Sequence, residues 1–184
     1  ILRLNRIHKV LSGINTLIVR VQTRKALFEE ATRLTVEEGE LLAAMIVEYN
    51  HDSGQGTVLN QHAANNKFSN RPLSKAETAI VGECLQNHRI VIKNELRKPD
   101  YNRGFNDLIN LGVGALVAFP LTHRDQELQV ALLLYREDAF SFDQAEMRLL
   151  NEVAGDISRQ ASHLDRRGSN LHESALPGPD RGLA

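Results

Sequence analysis

The stretch Gly112-Val113-Gly114-Ala115-Leu116-Val117-Ala118-Phe119-Pro120-Leu121, followed after six residues by Leu128-Gln129-Val130-Ala131-Leu132-Leu133-Leu134-Tyr135, decides the fold. Two nearly continuous apolar runs of strand length, separated by the polar Thr122 to Glu127 with His123, Arg124 and Asp125, read as a hairpin of two central strands.

Working outward, Leu41 to Tyr49 is a third apolar run and ends in the turn-forming Asn50, His51, Asp52, Ser53 and Gly54, so that Thr57 to Ala63 returns as its partner strand. Ile90 to Ile92 is a short buried strand. Between these lie a polar, irregular stretch, Asn65 to Pro72, and a helix announced by Ser74 and Glu77, a capping-box spacing. That helix carries Ala76, Ala79, Ile80, Cys84 and Leu85 inward and stops near Asn87. Asn94 to Asn106 reads as a loop with one helical turn.

Both ends are helical. Ile7, Val10, Leu11, Ile14, Leu17, Ile18 and Val21 recur at intervals of three and four, and a second helix spans about Lys25 to Glu38. Ser141 to Asp143 opens a final helix carrying Leu149, Leu150, Val153, Ile157, Ala161 and Leu164, which ends at Asp165 to Gly168. These elements predict an α+β fold, a central antiparallel sheet of about five or six strands flanked by helices, with long N- and C-terminal helices. The expected division is an N-terminal signalling helix over 1–22, one sensory domain over 23–167, and a linker or tail over 168–184. The chain opens on Ile1 with helical periodicity already running at Leu2, so it is expected to be a piece of a larger protein.

Composition narrows the function. The chain has 184 residues, enough for one substantial core, and 22 basic against 23 acidic side chains give a net charge of −1. That charge supplies no long-range field to gather nucleic acid or an anionic membrane, and neither is an expected partner. No apolar run approaches the roughly 20 residues needed to span a bilayer. The single cysteine, Cys84, forms no internal disulfide, which fits a reducing cytoplasm. Seven histidines show neither close helical pairs nor carboxylates at metal spacing, so no metal site is expected. No glycine-rich phosphate loop, paired catalytic carboxylates or base-adjacent nucleophile emerges, and the chain is not expected to be an enzyme by itself.

The order of elements, with Gly112 to Leu121, Leu128 to Tyr135 and Phe140-Ser141-Phe142-Asp143-Gln144-Ala145-Glu146, resembles the GAF family, as does Leu27-Phe28-Glu29-Glu30-Ala31 before the first strand. The resemblance covers about residues 1–167 and implies a regulatory small-molecule sensor, linked through its terminal helices to an output domain such as a diguanylate cyclase, phosphodiesterase or histidine kinase. The alternative is a ligand-free dimerisation and spacer module with a vestigial pocket. The sequence departs from the family pattern at Gln129, where glycine is frequent, at Asn94, where aspartate is, and at Gly114-Ala115, where serine is common.

Members that attach a bilin use a cysteine followed closely by histidine, whereas Cys84 precedes His88 by four residues and reads as a helix-packing residue. Members that reduce free methionine sulfoxide need a resolving thiol beside the attacking one. Asn66-Lys67-Phe68 resembles a fragment of the cyclic-nucleotide signature but is compressed, lacks the acidic pair, and reads as an exposed loop. The loop after the third strand commonly caps the ligand in this family. There Tyr101, Phe105 and Leu108 are expected to close over an apolar pocket, with Asn94 and Asn106 offering hydrogen bonds. His62 shares a sheet face with Asn60 and joins the candidate ligand-binding set if that face lines the pocket. The cofactor, if there is one, is not specified by any motif. The two terminal stripes offer a seam for a parallel homodimer, or else bury against the protein's own sheet.

Overall fold

The computed structural model describes residues 2–98, 104–122, 128–139 and 142–175, with side chains as far as residue 168. Helices α1 (Leu2–Arg20) and α2 (Arg24–Glu37) precede strands β1 (Ala43–Asn50) and β2 (Gln55–Ala63). Then follow α3 (Lys75–Gln86), β3 (Val91–Lys93), the short α4 (Asn106–Asn110), β4 (Ala115–Pro120), β5 (Leu128–Arg136) and α5 (Gln144–Ala175). The strands form one antiparallel sheet in the order β2-β1-β5-β4-β3. The α+β reading therefore holds, with five strands, and the two decisive apolar runs are both internal strands.

Local chemistry sets the element ends. The Thr23 hydroxyl accepts from the Ala26 N–H at 3.1 Å to start α2, and the Asp143 carboxylate accepts from the Glu146 N–H at 2.9 Å to start α5. Asn50 Oδ1 accepts from the N–H groups of Asp52 and Ser53, closing the β1–β2 turn in which Gly54 takes φ +69°. Gly114 admits no side chain, since a Cβ there would lie 2.2 Å from the Glu137 carbonyl oxygen. The serine common in the family at this point has no room.

The sheet separates two cores. Ala44, Ile46, Val117, Phe119, Val130, Leu132 and Leu134 face α1, α2 and α5, whereas Met45, Val47, Leu116, Leu133 and Tyr135 face α3 and α4. On the first side Ile7, Val10, Ile14 and Leu17 of α1 interlock with Leu150, Val153, Ile157 and Leu164 of α5 in one buried cluster. Of the two uses expected for these stripes, burial in the protein's own core accounts for those residues. Arg3 lies 3.8 Å from Glu146 and Gln160 Nε2 donates to the Ile18 carbonyl at 3.4 Å, so α1 and α5 run parallel. α5 continues past Gly168 to Ala175, into the stretch expected to be linker or tail. Its 32 residues make it about 48 Å long. Among the described residues no helix is long and apolar enough to cross a membrane.

Candidate functional site

One cluster of buried polar groups lies on the α3 face of the sheet. The capping box at the start of α3 fixes Glu77: its N–H donates to the Ser74 hydroxyl at 3.2 Å, and its carboxylate accepts from the Ser74 N–H at 3.1 Å. The same carboxylate, only 1% exposed, takes both terminal nitrogens of Arg71, at 2.7 and 2.6 Å. It also accepts a short bond from the hydroxyl of Tyr135, a fully buried residue on the central strand β5. Phe68 packs edge-on against Tyr135 with 4.9 Å between ring centroids, and the Arg71 guanidinium lies 4.5 Å over the Phe68 ring.

Burial by itself would push the Glu77 carboxyl up; Arg71 first, then Tyr135 and the Ser74 N–H, outweigh it and hold the group below the usual carboxylate range. Burial raises the Tyr135 hydroxyl well above its ordinary value, and the adjacent Glu77 charge adds to that effect. The site is thus an arginine-carboxylate-phenol lock in which each partner keeps its ordinary charge state at neutral pH.

Tyr135 is one residue from Arg136, which faces the other core. There Arg136, itself buried, makes a short ion pair with Glu146 of α5, under the ring of Phe142 with 4.9 Å between guanidinium and centroid. Two consecutive residues of β5 therefore hold buried polar contacts on opposite faces, one to α3 and one to the terminal helices.

The family model for the GAF domain matches residues 21–159. The chain belongs to the GAF domain family. A comparison with curated proteins finds no match. Similar solved structures include the GAF domain of a phosphoenolpyruvate-protein phosphotransferase from Coxiella burnetii, at 13% identity over 90% of this chain and 98% of that one, TM-score 0.68. Free methionine-R-sulfoxide reductase from Neisseria meningitidis in complex with its substrate is 12% identical over 88% and 91%, TM-score 0.67. The phycocyanobilin-bound GAF domain of a cyanobacterial phytochrome is 15% identical over 88% and 96%, TM-score 0.64. At these identities the likeness shows the fold. The family is one of small-molecule sensor domains in signalling proteins.

Within this GAF domain the expected site residues separate. Phe105 and Leu108 are buried in the α3-face core together with Phe68, Cys84, Leu133 and Tyr135. Asn94 is exposed, just before a segment that the Glu95 and Leu96 N–H groups pin to Ala139 and Gly114. Tyr101 lies outside the described residues. His62 does share a face with Asn60, but that face is the other one. His62 Nε2 sits 3.5 Å from Glu37 of α2, and Asn60 Oδ1 accepts from Thr32 of α2 at 2.7 Å. His62 is therefore removed from Phe105 and Leu108 by the thickness of the sheet.

Sequence reading missed Phe68, Arg71, Glu77 and Tyr135 as a unit. Asn66 and Lys67 are exposed as expected, but Phe68 is not, because its ring completes the core beside Tyr135. The capping-box spacing was the available signal, since it places Glu77 at a helix start. Gln129, the departure from the family's glycine, is buried and its Oε1 lies 2.8 Å from His51 Nε2, tying β5 to the β1–β2 turn.

Cys84 is buried in the same core, and desolvation pushes its thiol up to about 12. A pKa raised on folding contributes stability that is complete below the unfolded value, near 8.5, and is lost as pH rises toward the folded one. The melting temperature is therefore expected to fall above about pH 9. Cys84→Ala should flatten that decline in thermal melts between about pH 8 and pH 10, below the range where Tyr135 adds its own loss.

Proposed function

We propose that this GAF domain is the sensor of a signal-transduction protein: a small molecule is received on the α3 face, and the response travels through α1 and α5 to an output domain in the same chain. The observation that carries this reading is the pairing of Tyr135 with Glu77 and of the adjacent Arg136 with Glu146. A shift of β5 that loosens one of these contacts moves the other, since both side chains are buried and adjacent on one strand. The parallel packing of α1 and α5 supports the same reading, because one helical layer then spans the domain from end to end. The free thiol of Cys84 suits a reducing compartment, and we assign the domain to the cytoplasm.

The competing reading, a ligand-free spacer, draws on the filling of the α3 face by Phe68 and Tyr135. One experiment separates the two. The purified domain is incubated with a low-molecular-mass cell extract, retained species are identified by native mass spectrometry, and amide exchange in α5 is compared with and without them. A sensor retains a species that changes exchange across Leu150 to Leu164. A domain that retains nothing, with α5 unchanged, is a spacer.

We also propose a parallel homodimer through the terminal helices. The inner stripes are consumed by the core, so the seam falls on the outer face of α1. His8, Leu11, Ser12, Asn15, Thr16, Val19 and Arg20 recur there at helical spacing on an open face of α1. That stripe carries no carboxylate and ends in one cation, Arg20, and Val19 is 86% exposed. Light scattering of the purified domain is expected to give a dimer, and Val19→Glu a monomer with the same helical content. A wild-type monomer removes the proposal.

A further inference from the structure

The connection from β2 to α3, residues 64–74, has no regular structure, yet it sends two side chains into the α3-face core. Phe68 supplies a ring against Tyr135, and Arg71 supplies a planar cation that grips Glu77 through two parallel N–H bonds. These are the two groups that a small ring-bearing cation would present.

The receiving groups come from the framework itself. Glu77 is set by the capping box of α3 and Tyr135 by the central strand. A carboxylate buried among apolar side chains is costly unless a cation pairs with it, so this position carries a fixed demand for positive charge. Arg71, from the irregular connection, meets the demand imperfectly: its Nε is buried without a hydrogen-bond partner among the described residues. The connection is anchored at its two ends, by the Ala64 N–H to the Leu42 carbonyl at 2.9 Å and by Ser74 at the start of α3, and between them residues 65–70 bond among themselves, Lys67 N–H to Asn65 Oδ1 at 3.1 Å and Ser69 N–H to the Asn66 carbonyl at 3.3 Å. Between those ends, Gln61 Nε2 of β2 donates to the Phe68 carbonyl at 2.6 Å. Asn70 holds a left-handed φ of +58° within it.

We infer that Glu77 and Tyr135 form a binding site for a small ring-bearing cation of the guanidinium or amidinium class, and that Arg71 and Phe68 occupy it until the ligand displaces them. This rests on the sensor reading and names the chemical class sensed. A planar cation with paired N–H donors replaces the Arg71 bonds to Glu77, and its ring replaces Phe68 on Tyr135. Residues 65–73 leave the core as a unit, while Ser74 keeps its place in the capping box that sets Glu77.

The test titrates the wild-type domain with phenethylguanidine and with its neutral counterpart phenethylurea by calorimetry, and follows amide exchange in residues 65–73. The guanidine is expected to bind saturably and at least about tenfold more tightly than the urea, the margin of a charge-assisted pair over a neutral one. Exchange in 65–73 is expected to accelerate on binding. Glu77→Gln removes the preference for the guanidine, and Tyr135→Phe, which keeps the ring and the fold, weakens its binding at least about threefold. Equal affinities for the two compounds, or tight binding that leaves 65–73 protected, overturns the inference. A retained anion that changes α5 exchange sinks this inference and leaves the sensor reading intact. Bound phenethylguanidine that exposes 65–73 without altering α5 does the reverse.

Discussion

Glu77→Ala is expected to lower the unfolding free energy by about 3–5 kcal/mol, the cost of breaking a buried ion pair from one side. The substitution strips Arg71 of both its paired bonds, leaves the buried Tyr135 hydroxyl without its acceptor, and removes one half of the α3 capping box. Urea unfolding measures the loss, seen as a lower midpoint at unchanged slope. A loss below about 1 kcal/mol, the scale of an exposed pair, would mean that the lock does not form. The pH dependence carries a definite sign. Because the Glu77 carboxyl is held below its ordinary value, its contribution is complete above the unfolded value, near 4.3, and is lost as pH falls through the lower folded value. Wild type therefore loses stability below about pH 4 by more than Glu77→Gln does.

Arg136→Met is the second large effect, again about 3–5 kcal/mol, because it leaves the Glu146 carboxylate buried with no closer cation among the described residues than Arg3 at 3.8 Å. Its diagnostic feature is partial reversal. Adding Glu146→Gln removes the stranded charge, so the double variant is expected to be more stable than Arg136→Met alone by urea unfolding. A double variant less stable than either single would instead mean that the two residues contribute separately through packing.

These contacts bear on what a sequence reveals. Strands β4 and β5 were legible because internal strands covered on both faces read as unbroken apolar runs. Edge strands β2 and β3 lack that signature, and their ends shift by one or two residues. The helices were legible from their stripes, but α5 runs through Gly168, since a glycine costs an otherwise periodic helix only about 1 kcal/mol. For the site, Phe105 and Leu108 reached the right core through their apolar character. His62 and Asn60 were correctly grouped, yet a period of two says which residues share a face and not which helices cover it. That assignment depends on the sheet order. Phe68, Arg71 and Glu77 were obscured by composition, since charged residues in a polar segment ordinarily face solvent. Their burial comes from a tertiary partner, Tyr135, that lies 58 residues from Glu77 in the chain.

A double-mutant cycle between Glu77→Gln and Glu146→Gln tests the central claim, that β5 couples the α3 face to the terminal helices, most directly. The two residues lie on opposite faces of the sheet and share no contact, so independent sites would add to within about 0.3–0.5 kcal/mol. Coupling through Tyr135 and Arg136 predicts an interaction energy of about 1 kcal/mol by urea unfolding. Strict additivity would contradict the account and leave the two buried contacts as separate supports of the fold.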